Sequence, residues 1–295
     1  MVRNPNLPIY RFNVGDFECA TLAAFTRDIP SPHPFFAPQA TSEQLAAALA
    51  RECLPSQSLR LYFNVLLVRT GRQNILIDAG FARNAVPAAF NVADNLASLG
   101  LEPGDIDSVI LTHAHGDHMG GLLDDAGKPV FTRAQHFCSA EEIDFWTSPK
   151  PDFSKSRLDE KSQAASIAAA RQVFAAIPFS RITPTATLPD GLTATLAPGH
   201  TPGHINLRIR SGAEVLHHMV DLGHHFAVML PHPDWTVGFD VNPDLAVATR
   251  REIFPKLAAE GARVFGYHMP FPALGHIQAS GDGFRWVPEL WDAHL

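Results

Sequence analysis

The stretch LTHAHGDHMGG, from Leu111 to Gly121, decides how the rest of this sequence is interpreted. It contains four metal-binding side chains within a few positions: His113, His115, Asp117 and His118. The residues before it are typical of a buried strand, and side chains two apart on an extended segment point the same way. Asp117 and His118 come at a turn and reach the same space from another direction. One catalytic zinc uses three protein ligands, so four predict two metals.

Two metals need further ligands, and the sequence offers them in three later segments. APGHTPGH contains His200 and His204, HHMVDLGHH contains Asp221, and VFGYHMPFP contains His268. Each segment follows a strand-like run, and open α/β sheets gather their sites at the carboxyl ends of strands. The two oxygens of the Asp221 carboxylate could bridge two metals.

Composition limits the class of protein and of partner. The chain has 295 residues, 46% of them hydrophobic, and a net charge of -7 without a Lys/Arg cluster. This balance disfavours nucleic acid or an anionic membrane as the main partner. No apolar run approaches the roughly 20 residues of a membrane span, and MVRNPNLPIYRF lacks a signal-peptide core. We therefore expect a cytoplasmic protein that acts on a small molecule.

The remaining sequence alternates short apolar runs with helical patterns. No internal repeat and no clean linker appear, so we predict a single domain over residues 1–295. The predicted strands are RLYFNVLLVRT, NILIDAG, DIDSVILTH, PVFTRAQHFCS, LTATLAP, INLRIRS and EVLHHMVD. The predicted helices are TSEQLAAALARECL, residues 158–177 and DLAVATRREIFPKLAAEG. Strands and helices mixed in this way indicate a layered α/β architecture.

The order of these ligands resembles the metallo-β-lactamase superfamily. HxHxDH, the His of PGHTPGH, a strand-end Asp and a late His follow one another from about Tyr62 to Trp286. APGHTPGH, HMPFPALGHI and GDGFRWVP are moreover similar to methyl parathion hydrolase and its relatives. That branch neighbours the quorum-quenching lactonases that open N-acyl homoserine lactones. The resemblance implies an αββα sandwich with the site at one edge of two packed sheets.

The resemblance also implies which residue binds which metal. One ion would be held by His113, His115 and His200, the other by Asp117, His118 and His268, with Asp221 bridging the two. Zinc is the expected ion, with manganese, iron or cobalt as alternatives, because ligand type alone does not settle identity. The family usually has Gly before the bridging Asp, where this chain has Val220.

Such a centre predicts a hydrolase. Two divalent ions about 3.5–4 Å apart can share a hydroxide that attacks a carbonyl or phosphoryl centre. Asp117 and Asp221 are the predicted catalytic carboxylates, and small neutral lactones, esters or phosphotriesters are the predicted substrates. A mononuclear iron dioxygenase and a thioester hydrolase on the same scaffold remain alternatives. The acidic balance disfavours a nuclease, and the complete ligand set disfavours a metal sensor.

Several residues outside the ligand set are candidates for substrate binding. Trp146, Phe90 and Phe153 could wall a hydrophobic pocket, as aromatics do in methyl parathion hydrolase, although core packing explains each equally well. His224 could contact substrate, and Asp78 is expected to orient a ligand histidine.

The stretch IPSPHPFFAPQA, residues 29–40, is apolar and proline-rich. Segments of this kind outside a core often cover a partner or the rim of a pocket. Together with the resemblance, it predicts a homodimer.

Overall fold

The computed structural model describes residues 8–183 and 188–292, and its strands form two sheets. The first sheet has seven strands in chain order: β1 Ile9–Val14, β2 Phe17–Pro30, β3 Ser58–Arg69, β4 Asn74–Ile77, β5 Ser108–Leu111, β6 Gln135–Ser139 and β7 Phe179–Ile182. Neighbours from β1 to β4 are antiparallel, and those from β4 to β7 are parallel.

The second sheet has six strands. These are β8 Leu192–Leu196, β9 Ile205–Ser211, β10 Glu214–His218, β11 Val264–Phe265, β12 Leu274–Ser280 and β13 Gly283–Pro288, ordered β13-β12-β11-β10-β9-β8. Strands β10 and β11 pair in parallel, and the other neighbours are antiparallel. The parallel pair places the ends of β10 and β11 side by side, just before Asp221 and His268.

The first sheet is buried on both faces, because successive side chains along its strands belong alternately to two hydrophobic clusters. Val65 and Leu67 of β3 belong to one hydrophobic cluster, while Leu66 and Val68 between and beyond them belong to another. Adjacent side chains of a strand point to opposite faces, so each cluster covers one face. The cluster with Leu66 includes residues of the second sheet, whereas the cluster with Val65 includes residues of the helices on the outer face.

The helices complete the layers. They are α1 Ser42–Arg51, α2 Val92–Asn95, α3 Gly116–Met119, α4 Ala140–Thr147, α5 Glu160–Ala176 and α6 Pro243–Ala259. Helix α1 begins with a capping box between Thr41 and Gln44. Helix α6 begins after the N-cap Asn242 with Pro243 in its first turn, and it packs against β12 of the second sheet. The αββα sandwich predicted from the sequence is confirmed.

The elements differ from the sequence predictions in several respects. The predicted strand PVFTRAQHFCS is extended only over Gln135–Ser139, because its first half forms turns before β6. Strand β7 and the hairpins β1–β2 and β12–β13 were not predicted. No helix in the described ranges is long and apolar enough to cross a membrane.

Candidate metal centre

The chain places all seven predicted ligands just beyond strand ends. His113 follows β5, and His115 is the N-cap residue of α3, which itself carries Asp117 and His118. The other three follow the second sheet's strands: His200 after β8, Asp221 in a 3-10 turn at Val220–Leu222 after β10, and His268 after β11. Ligands from the ends of both sheets therefore meet at one edge of the sandwich.

One group of ligands consists of three histidines. His115 Nδ1 lies 3.2 Å from His113 Nε2 and 2.8 Å from His200 Nε2. These nitrogens all lie within 4.8 Å of one another. Three ring nitrogens that converge on one point form a suitable ligand set for a single divalent cation.

A second group consists of Asp117, His118 and His268. Asp117 Oδ2 lies 3.4 Å from His118 Nε2 and 3.7 Å from His268 Nε2. Mixed imidazole and carboxylate ligands suit a borderline divalent ion such as zinc, and also manganese, iron or cobalt.

The carboxylate of Asp221 contacts both groups. Its Oδ2 lies 3.2 Å from His200 Nε2 and 3.1 Å from His268 Nε2, and its Oδ1 lies 3.4 Å from His118 Nε2. Both Asp221 Oδ1 and His118 Nε2 are buried without a hydrogen bond. Buried polar atoms are rarely left unpaired, and two such acceptors facing each other fit a bound cation. The residues present thus fit the binding of divalent metal.

Three ligand histidines are fixed from behind through the ring nitrogen that faces away from the centre. His118 Nδ1 lies 2.8 Å from Asp78 Oδ2, His200 Nδ1 lies 2.9 Å from Asp240 Oδ1, and His268 Nδ1 lies 2.7 Å from the Tyr62 carbonyl oxygen. Each oxygen accepts a hydrogen bond from that nitrogen, which selects the tautomer with a lone pair on Nε2. The predicted orienting role of Asp78 agrees with this geometry, whereas Asp240 was not predicted.

The backbone that carries Asp221 is held in an unusual conformation. Val220, where the family usually has Gly, has φ 47°, a left-handed value that is rare for a β-branched residue. The Val220 N–H donates to His218 Nδ1 at 3.1 Å, and the Asp221 N–H donates to His204 Nε2 at 3.1 Å. Burial lowers the pKa of each of these two histidines to about 3, so both rings are neutral acceptors.

Burial and neighbouring charges shift the pKa values of the ligand side chains in opposite directions. Burial lowers the pKa of His113 and His115 well below the ordinary range, so both rings are neutral and offer lone pairs. Burial opposes ionisation of Asp221, but His268 and His118 hold its pKa well below the ordinary range. Burial opposes the charge of His118 as well, yet Asp221 and Asp117 raise its pKa well above the ordinary range.

Trp146, one of the predicted pocket residues, lies beside His115, and the predicted residue Phe153 packs against Trp146. Trp146 is 0% exposed and its Nε1 donates to Glu142 Oε1 at 2.7 Å. Its ring lies 6.0 Å from the His115 ring and 5.8 Å from that of Phe153, which is 7% exposed.

Phe90, the third predicted aromatic, lies on another side of the centre. Its ring is 5.6 Å from Phe25, which in turn contacts Phe81. The series continues through Phe63 to the ring of His268, at 5.1 Å from Phe63. The described residues give no ring contact that joins Phe90 to Trp146 or Phe153.

His224 points into the centre. Its Nε2 lies 3.3 Å from Asp221 Oδ2, and its ring stacks on that of His268 at 5.0 Å. Both of its ring nitrogens are buried without a hydrogen bond. Burial lowers its pKa to about 4, so the ring is neutral near pH 7.

Sequence reasoning missed an aromatic group on the His224 side. The ring of Phe239 lies 6.3 Å from His224 and 4.7 Å from Phe35. Phe35 and its buried neighbour Phe36 belong to the proline-rich stretch, which pairs with residues 235–240 of its own chain through a bridge from Phe36 to Val237. No motif signals this contact, because its two sides are far apart in the sequence.

Comparison with known proteins agrees with this geometry. The family model described as Metallo-beta-lactamase superfamily matches residues 61–225, a range that contains six of the seven ligands and ends before His268. The chain belongs to the metallo-β-lactamase superfamily. It is therefore a metal-dependent hydrolase of this superfamily.

Solved structures in the superfamily match over nearly the whole chain. AidC, described as a dizinc quorum-quenching lactonase in complex with a product, is 31% identical with a TM-score of 0.89, covering 96% of this chain and 98% of its own. The hydrolase AbOPH is 26% identical with a TM-score of 0.86, covering 98% and 100%. AiiA of B. thuringiensis, at 17% identity and a TM-score of 0.63 over 89% and 100%, supports the fold alone.

Proposed function

We propose that this metallo-β-lactamase superfamily hydrolase uses two divalent ions to open small neutral lactones, with esters and phosphotriesters as further substrates. The observation that carries the proposal is the Asp221 carboxylate, which contacts both ligand groups. The lactonase activity stated for AidC, the most similar of the structures compared above, supports lactones as the first substrate class.

Bound divalent ions would supply Lewis acidity and a water of lowered pKa, which makes a nucleophile available near pH 7. Asp221 would hold both ions at a fixed separation. The carboxylate of Asp117 is the more open one, with 19% of its side chain exposed against 2% for Asp221. While one oxygen of Asp117 would bind an ion, the other can accept a proton from the attacking water and return it to the leaving oxygen.

The substrate would be positioned by side chains that surround the centre. His224 is neutral and has unpaired ring nitrogens, so it can donate a hydrogen bond to a substrate oxygen. We propose Phe90 as an apolar contact on the His268 side. Trp146 and Phe153 are buried, and we propose that they support His115 from behind.

The proposal is tested by a hydrolysis screen over an N-acyl homoserine lactone, an aryl ester and a phosphotriester, with proton release as the readout. We expect the lactone to react fastest. His113→Ala and His268→Ala should each abolish turnover while the circular dichroism spectrum is retained, because both ligands lie beyond strand ends. The matched control is His217→Ala, a half-buried histidine of β10 outside the centre. Retained turnover in either ligand variant, with contaminating metal excluded, contradicts the proposal.

A further inference from the structure

Glu142, in the first turn of α4, has a carboxylate that accepts four hydrogen bonds from separate parts of the chain. Its Oε1 accepts from the Ala114 N–H at 2.8 Å and from Trp146 Nε1 at 2.7 Å. Its Oε2 accepts from Thr201 Oγ1 at 2.6 Å and from the Gly203 N–H at 3.0 Å. The side chain is fully buried, and each oxygen has two donors. Burial raises the pKa of Glu142, and these four hydrogen bonds oppose that shift.

The donors lie next to ligands of a single group. Ala114 stands between His113 and His115, and Thr201 directly follows His200. Those three histidines are the group whose ring nitrogens converge within 4.8 Å. The carboxylate therefore ties together the two loops that carry this group. None of the four donors is adjacent in the sequence to Asp117, His118 or His268, the ligands of the other group.

The start of α4 is also docked closely against the loop that carries His200. A Cβ on Gly203 would lie 2.0 Å from the Glu142 nitrogen, so only glycine permits this approach. Ser139, the N-cap of α4, donates from its Oγ to the Gly203 carbonyl and accepts from the Glu142 N–H. The helix start and the loop thus form one packed unit.

We propose that Glu142 is a positioning residue that holds the ligand loops of the three-histidine group at the separation a metal ion requires. The inference rests on the proposed division of the ligands into two groups. It predicts an asymmetric effect: loss of the Glu142 carboxylate weakens binding of one ion much more than binding of the other.

Glu142→Gln tests this at constant side-chain volume. An amide keeps one acceptor oxygen and turns an NH₂ group toward two donors, so two hydrogen bonds are lost and their donors stay buried. The matched control is Glu141→Gln, the exposed neighbour in the same helical turn. Metal-free protein is titrated with Zn²⁺ against a chromophoric chelator, and unfolding of the metal-free protein is recorded separately.

Changes in residues that orient metal ligands typically cost about 10- to 100-fold in metal affinity. We expect a loss of this size for one Zn²⁺ equivalent in Glu142→Gln, with the other equivalent and the control unchanged. Unchanged affinity for both equivalents overturns the inference. An equal loss for both equivalents, with a lower melting temperature of the metal-free protein, also overturns it, because that is the signature of a merely structural role.

Thr201→Val keeps the test decisive if Glu142→Gln does not fold. It removes a single donor without changing shape, and it should weaken the same equivalent by a smaller factor. Wild-type affinity for both equivalents in this variant counts against the inference. Failure of the proposed function is distinguishable, since it appears in the wild type itself as fewer than two Zn²⁺ equivalents or as no hydrolysis.

Discussion

The orientation of two ligand histidines is fixed by residues that are not themselves ligands. Asp78 and Asp240 accept hydrogen bonds from the outer nitrogens of His118 and His200, which fixes each tautomer and raises the basicity of the inner nitrogen. Behind Asp221, two neutral histidines accept the backbone N–H groups of a left-handed turn. Correct placement of these three ligands thus depends on further residues, and for His118 and His200 these lie 40 positions away in the sequence.

Trp146 gives a prediction at this scale. Trp146→Ala should lower the free energy of unfolding by about 3–5 kcal/mol, because a fully buried ring is removed. It should also lower kcat/KM for a bulky aryl ester and a small aliphatic lactone alike, since we propose that the ring supports His115 from behind. The measurements are the melting temperature and kcat/KM for both substrates.

Trp291→Ala is the control for this variant, because Trp291 is 77% exposed and should leave both quantities unchanged. A raised KM for the bulky ester alone, with an unchanged melting temperature, would instead show that Trp146 forms a wall of the substrate pocket.

At the scale of elements, the site depends on where strands end. Strands β5, β10 and β11 each stop within a few residues of a ligand, and the short helix α3 turns Asp117 and His118 back toward the centre. The loop between β8 and β9 supplies His200, and the beginning of α4 fixes that loop. A turn that approaches another backbone closely requires glycine, and Gly203 is the glycine of this turn.

Gly203→Ala is therefore expected to move this loop. The added Cβ would meet the backbone of α4 at 2.0 Å, so the loop must shift by about an ångström. A displacement of that size at a catalytic group can cost on the order of a hundredfold in rate. Gly104→Ala is the matched control, since its Cβ would meet nothing closer than 4.0 Å. Wild-type kcat/KM in Gly203→Ala would contradict this reading of the loop.

Periodic and motif-bearing elements were predictable from the sequence. Strands β3 to β5 have continuous apolar runs, and the helices α5 and α6 have clear caps. The hairpin of β1 and β2 was missed because its strands mix charged and apolar residues on a half-exposed edge. Asp240 and Glu142 could not be found either. Asp240 lies 40 residues from its partner His200 in the sequence, and Glu142 lies 59 residues from its partner Thr201. No local pattern marks such contacts.

At the scale of the whole molecule, the centre joins the two sheets. The first sheet supplies His113, His115, Asp117 and His118, and the second supplies His200, Asp221 and His268. The distances between the ligands therefore depend on the relative position of the two sheets. Packing of the core between the sheets fixes that position.

The homodimer remains a prediction at this scale. Part of the proline-rich stretch is buried against its own chain through Phe36, while Leu290 and Trp291 near the other end of the chain are 87% and 77% exposed. We expect light scattering to give twice the mass of one chain across a wide range of concentrations. The mass of one chain throughout that range would exclude the dimer.

Reconstitution tests most directly whether two metal ions act together in this centre. Metal-free protein is supplied with increasing Zn²⁺, and bound metal and lactone hydrolysis are measured on the same samples. Activity should rise until two ions are bound per chain, because Asp221 links both ligand groups. Full activity with a single tightly bound ion would contradict the account.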